Sequence, residues 1–93
     1  MKLSVRPEAI ADLRDIRDYI ARDSPQAARS VVSRIWQTMQ KTIKSSPFIG
    51  RNGRDEGTRE HPVRGSPYII VYEIAEERDL VIVLSVVHGA RDR

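Results

Sequence analysis

The residues best equipped for chemistry in this 93-residue chain are two histidines and a set of arginines. His88 stands in the C-terminal run Val87-His88-Gly89-Ala90-Arg91-Asp92-Arg93. An imidazole is the side chain whose ordinary titration falls near neutrality. Beside Arg91 it can move a proton while the guanidinium steadies a charged phosphate. The plainer reading is a histidine hydrogen-bonded at a strand end, because a lone histidine says little about catalysis. A second cluster is Arg59, Glu60, His61 and Arg64. Strand alternation puts Arg59 and His61 on one face and Glu60 and Arg64 on the other. Arg59 is also in reach of Asp55 or Glu56, a surface ion pair of little worth. The third candidate is Phe48-Ile49-Gly50-Arg51-Asn52-Gly53-Arg54. Its glycines let backbone approach phosphate closely, yet it has neither P-loop nor GxGxxG spacing, so nucleotide binding is unsupported. Either a nucleic-acid contact or a solvated loop suits it. The histidines stand 27 residues apart without HExxH spacing, so no metal site and no cofactor are implied.

Composition narrows the class. A 10.6 kDa chain has room for one small domain, residues 1–93. Apolar residues make up 40% and charged residues 31%, the balance of a globular protein rather than a disordered tail. No apolar run approaches the roughly 20 residues of a membrane span. Met1-Lys2-Leu3-Ser4-Val5-Arg6-Pro7 is charged too early to read as a signal peptide. The lack of cysteine removes disulfides, thiolate ligands and a Cys nucleophile, and fits a reducing cytoplasm. Net charge is +3, and thirteen of the sixteen bases are Arg, whose planar fork pairs bidentately with phosphate or carboxylate. The excess is local. Residues 41–64 carry net +3, whereas residues 8–23 and the last 29 residues each carry net −2. An anionic partner is therefore expected at the middle of the chain.

The elements that must hold these groups follow from pattern. Leu3 and Val5 mark a short strand over Lys2–Arg6. Pro7 suits a first helical position and Glu8 the positive helix end. Ile10, Leu13, Ile16 and Ile20 then form one apolar stripe, with Asp12, Asp15 and Asp18 off it. Those carboxylates read as a solvated face or a seat for a basic partner, with Asp18 and Arg22 as a weak surface pair. Ser24 and Pro25 cap and begin a second helix, whose stripe runs through Ala28, Val31, Val32, Ile35, Met39 and Ile43, with Trp36 at its edge. The short connection folds the two into a hairpin. Ser45-Ser46-Pro47 ends it, and Phe48 to Gly57 reads as a loop. Thr58 to Arg64 can be an edge strand interrupted by Pro62. Tyr68 to Ile74 is β-branched and aromatic. Leu80 to Val87 is apolar at seven of eight positions and reads as a central strand. Val71 and Val83 are expected inside the sheet. The expected fold is α+β with order β-α-α-β-β-β, the helical hairpin covering one face of a small, mainly antiparallel sheet. The other face would keep an apolar groove for another chain.

Several segments, in order, resemble the RelE/ParE family of type II toxin–antitoxin toxins over nearly the whole chain. They are Asp12-Leu13-Arg14-Asp15-Ile16 with Tyr19-Ile20-Ala21, Pro47 with Gly50-Arg51, and Gly57-Thr58-Arg59-Glu60. Pro67-Tyr68-Ile69-Ile70-Val71-Tyr72 and Val86-Val87-His88-Gly89-Ala90-Arg91 complete the set. The resemblance implies a cytoplasmic toxin held in a hetero-oligomer with a cognate antitoxin whose C-terminal segment wraps it. It implies one of two targets. RelE-like members cleave mRNA on the ribosome, with basic residues stabilising the phosphorane. ParE-like members poison DNA gyrase without that catalytic set. The position after Tyr68, where RelE-like nucleases place a catalytic Arg, is Ile69 here, and their C-terminal Tyr has no counterpart in the sequence. The ParE-like branch is therefore favoured, with the RelE-like ribonuclease as the alternative. Arg51, Arg54, Arg59 and Trp36 are the candidate target- or antitoxin-binding residues; His88, Arg91 and Arg64 are the candidates for chemistry.

Overall fold

The computed structural model describes residues 1–90, so Arg91 lies outside the described residues. Strand β1 (Lys2–Val5) leads into helix α1 (Pro7–Ala21), and α2 (Pro25–Gln37) folds back against it. Pro7 and Pro25 both occupy the first helical turn, where a missing N–H costs nothing. The Ser24 hydroxyl accepts the Ala27 N–H at 3.1 Å and caps α2. Beyond Gln37 the helix widens into a π-type turn over Thr38–Ile43. That turn was not legible in the apolar spacing, which is helical throughout. It keeps Met39 and Ile43 fully buried alongside Ile35.

The sheet has five strands in the order β1-β5-β4-β3-β2: β2 (Arg51–Asn52), β3 (Arg59–Pro62), β4 (Tyr68–Ala75) and β5 (Leu80–His88). Only β1 with β5 is parallel; the other neighbours are antiparallel. The expected architecture holds, with one addition: the stretch read as loop contributes the two-residue strand β2. Strand β3 ends at Pro62, so Arg64 sits in the following turn rather than opposite Arg59 on a strand. The Val63 N–H still donates to the Tyr68 carbonyl at 2.9 Å just beyond Pro62, and Gly65 then turns the chain at φ 77°.

The core lies between the hairpin and one sheet face. Ala9, Leu13 and Ile16 of α1 and Ile35 of α2 meet Tyr68, Ile70 and Tyr72 of β4 and Val81, Val83 and Val86 of β5. Val83 is buried as expected. Val71 is not: alternation gives that side of β4 to Tyr68, Ile70 and Tyr72, and Val71 faces the opposite side, half-buried. Ile69, Val71, Ile82 and Val87 line that second face, all half-buried. No helix among the described residues covers it. None is long and apolar enough to cross a membrane.

Candidate functional site

The cationic edge is built from the turn Pro47–Ile49, β2, β3 and the loop between them. Its keystone is Tyr72, which is fully buried. A buried phenol needs partners for its hydroxyl. Tyr72 Oη donates to the Pro47 carbonyl at 2.5 Å and accepts the Gly50 N–H at 3.0 Å. Gly50 must lack a side chain, because a Cβ there would collide with the Tyr72 hydroxyl. Burial raises the Tyr72 phenol above its ordinary pKa, opposed by the Gly50 N–H and the Arg59 charge.

Arg59, opposite Tyr72 in the ladder, completes the clamp. Its Nη1 donates to the Gly50 carbonyl at 2.7 Å and to the Phe48 carbonyl at 3.4 Å. Its guanidinium lies 4.9 Å from the centroid of the Phe48 ring. This corrects the expected pairing with Asp55 or Glu56. Backbone carbonyls that no strand satisfies compete better for the fork than solvated carboxylates on an exposed loop.

On the other side of β3, Glu60 is buried to 3% exposure. Its Oε2 accepts the Arg54 N–H at 3.0 Å, and its Oε1 is 3.8 Å from Arg51 Nη2. Gly53 donates to the Thr58 carbonyl at 2.8 Å, and Thr58 Oγ1 donates to that of Asp55 at 2.6 Å. The loop is thus tied at several points. Arg51 and Arg54 remain exposed, two guanidiniums on a braced backbone at the sheet edge. Such forks suit carboxylate or phosphate. Trp36 is half-buried and packs against the core. His61 is half-buried beside Ile70, and desolvation lowers its pKa.

His88 lies elsewhere. It closes β5 opposite Tyr68, four residues along β4 from the Tyr72 that faces Arg59. At about 3.3 Å per residue that separates the two positions by about 13 Å. The His88 ring meets Tyr68 edge-on at 5.6 Å, and its Nδ1 accepts the Ala90 N–H at 3.1 Å. The groove it lines carries three carboxylates and Arg22. His88 lines a groove of about 870 Å³ with Asp12, Asp15, Asp18, Tyr19 and Tyr68. Asp12 ties α1 to β5 by accepting the Val86 N–H at 2.9 Å. Asp18 pairs with neighbouring Arg17 at 3.1 Å, while Arg22 turns back over the Tyr19 ring at 5.8 Å, so the anticipated Asp18–Arg22 pair does not form. Arg64 is exposed in the turn whose Pro67 carbonyl accepts the Gly89 N–H.

A helical hairpin on one face of a five-stranded, mainly antiparallel sheet is the architecture of type II toxins of the RelE/ParE superfamily. The fold matches that of a chain from the "Chromosomal ParDE TA system from P. aeruginosa" with a TM-score of 0.76 at 22% identity, covering 95% of each chain. The chain is 40% identical over 76 residues to the Sinorhizobium fredii protein Y4kP, covering 82% of this chain and 78% of that one. It is 36% identical over 83 residues to Toxin RelE2 of Caulobacter vibrioides, covering 89% of each. The model of the ParE toxin of the type II toxin–antitoxin system parDE matches residues 3–93, and the chain belongs to that family.

Proposed function

We propose that the chain is a ParE-like toxin of the cytoplasm that acts by binding DNA gyrase, and that a small antitoxin holds it inactive in a hetero-oligomer. The observation that carries this reading is Ile69. It stands in β4 between Pro62 and Val87, half-buried, at the position where the RelE-like pattern needs a cation. An alkyl side chain can neither neutralise a phosphorane nor donate to one. Among the described residues, Arg59 and His88 do not make up the loss. Arg59 spends its fork on the chain's own carbonyls, and His88 sits at the far end of β4 among carboxylates. The exposed Arg51 and Arg54 suit a binding surface. The antitoxin reading is supported by the half-exposed second sheet face and by the neighbour solved from a ParDE system.

The experiment is induction of the chain in cells without its antitoxin. Chromosome fragmentation with intact mRNA is expected. Codon-phased mRNA 5′ ends with an intact chromosome would refute the gyrase reading and favour the second one, a ribosome-dependent ribonuclease. That alternative draws on His88 at the end of a rigid strand and on the likeness to Toxin RelE2. His88→Ala separates the two, because a general acid or base contributes about 10² or more in rate. Gyrase poisoning should survive that substitution.

A further inference from the structure

Helix α2 and the π-type turn that continues it lie within a stretch, residues 24–54, that holds six cations and no acid. Thirteen acids in 93 residues would place about four in a stretch of that length. The helix forgoes two ordinary stabilisations. No acid occupies its first turn, where the macrodipole favours one. No Asp or Glu stands three or four residues from Arg29, Arg34 or Lys41 to pair with it along the surface. Among the described residues, Arg29, Arg34, Lys41, Lys44 and Arg64 have no carboxylate partner, whereas Arg6, Arg17 and Arg51 each have one. Local rules broken together on an exposed helix face mark a functional surface. At 3.6 residues per turn, Ser33, Gln37 and Ser30 fall between Arg29 and Arg34 around the helix. All five are exposed, as are Lys41 and Lys44 further along. Arg34 Nη1 reaches the Gly65 carbonyl at 3.4 Å, which places the exposed Arg64 beside it. From Arg29 to Lys44 the track runs about 20 Å, more than half of the roughly 34 Å turn of B-DNA.

We infer that this outer face of α2, together with Arg64, binds the phosphate backbone of duplex DNA. Charge complementarity sets the sign of the partner. The other side chains set its kind. Hydroxyl and amide donors interspersed with cations are the groups that contact phosphates and position a protein on a duplex without reading its sequence. A peptide would need an apolar anchor. Among the described residues the exposed large apolar side chains are Tyr19, Phe48 and Ile49, and none of them is on α2. Single-stranded nucleic acid stacks on aromatic platforms. Trp36, the aromatic of α2, is half-buried and packs against the core. The choice of DNA over RNA rests on the gyrase reading given above, because gyrase holds duplex DNA where a bound toxin can meet it.

The test is fluorescence anisotropy of a labelled mixed-sequence DNA duplex titrated with the full chain over a range of salt, without gyrase. The wild-type chain should bind, and its affinity should fall steeply as salt rises. Arg29→Gln with Lys41→Gln and Lys44→Gln should weaken binding about 10-fold or more at low salt and reduce the salt slope by about 3, one unit for each lost phosphate contact. Arg34 is left in place because it supports the Gly65 turn. Lys2→Gln with Arg14→Gln and Arg78→Gln removes the same charge from exposed sites elsewhere and should bind within about twofold of wild type. Unfolding midpoints confirm that both variants are folded. Equal losses in the two variants would reduce the effect to net charge and refute the face. Tighter binding of an RNA duplex of the same sequence, or displacement of the DNA by a lower concentration of polyglutamate than of unlabelled duplex, would assign the face to another partner and refute it as well. A wild-type chain that binds no duplex yet traps cleaved gyrase–DNA complexes refutes the face and leaves the gyrase reading standing. Duplex binding lost in the α2 variant alone, with no cleaved complex trapped by the wild-type chain, supports the face and overturns the gyrase reading.

Discussion

Tyr72→Phe tests the bracing of the cationic edge with the smallest change available. The ring stays, so core packing is kept and no cavity opens. Two partners lose the hydroxyl: the Gly50 N–H, at a fully enclosed position, and the Pro47 carbonyl, at a half-buried one. A buried group left without its hydrogen bond costs about 1–3 kcal/mol. Water can reach the Pro47 carbonyl more easily than the Gly50 N–H, so the total should be about 2–3 kcal/mol. For a chain of this size that lowers Tm by about 10–20 °C. Urea unfolding at pH 8 measures it. A second signature follows from the phenol, whose pKa burial raises in the folded state. The unfolded state then releases this proton first, near pH 10, while the folded state still holds it. Stability from this group is complete below about pH 10 and is lost as pH rises through the folded value. The gap between wild type and Tyr72→Phe should therefore narrow between pH 8 and pH 11. A gap below about 0.5 kcal/mol at pH 8, or one independent of pH, would refute the reasoning.

Three other substitutions probe the scaffold. Met39→Ala, at a fully buried site within the π-type turn, should cost about 2–5 kcal/mol in urea unfolding; less than 1 would mean the turn collapses around the gap. Asp12→Ala leaves the Val86 N–H without its carboxylate and should cost about 1–3 kcal/mol, with hydrogen exchange at Val86 faster by a matching factor. Exchange as slow as in wild type would contradict the α1–β5 tie. His61 has a folded pKa lowered by desolvation, so its contribution is present above about pH 6.5 and fades as pH falls through the folded value. His61→Gln should flatten the decline of the urea midpoint between pH 8 and pH 5, by a small amount because the ring is partly solvated. Identical slopes in both proteins would remove His61 from the account.

Much of the scaffold could be read directly from residue spacing. The two helices, their proline starts, the Ser24 cap and strands β4 and β5 all have strong periodic or capping signals. What escaped depends on contacts between distant segments. The strand Arg51–Asn52 is too short to show a period, and it exists because β3 supplies its partner. The side of β4 that faces the core is ambiguous when both sides are apolar; only the hairpin above Tyr68, Ile70 and Tyr72 decides it. Sequence proximity to Asp55 and Glu56 makes Arg59 read as a surface ion-pair former. Its actual partners are carbonyls brought in by the Pro47–Ile49 turn. Tyr72 itself carried a signal that was there to use: a tyrosine inside an apolar strand must find a hydrogen-bond partner. The candidate site was legible as a basic segment, but its division was not. Strand register puts Arg59 opposite Tyr72 in the middle of β4 and His88 opposite Tyr68 at its start, and no local pattern encodes that.

The most direct test of the account mixes the purified chain with DNA gyrase and supercoiled plasmid, and quantifies cleaved DNA after the protein is denatured. The account predicts linear DNA that accumulates with toxin, persists with His88→Ala, and disappears when antitoxin is added first. Supercoiling that runs to completion at a large excess of toxin, with no cleaved DNA recovered, would contradict it.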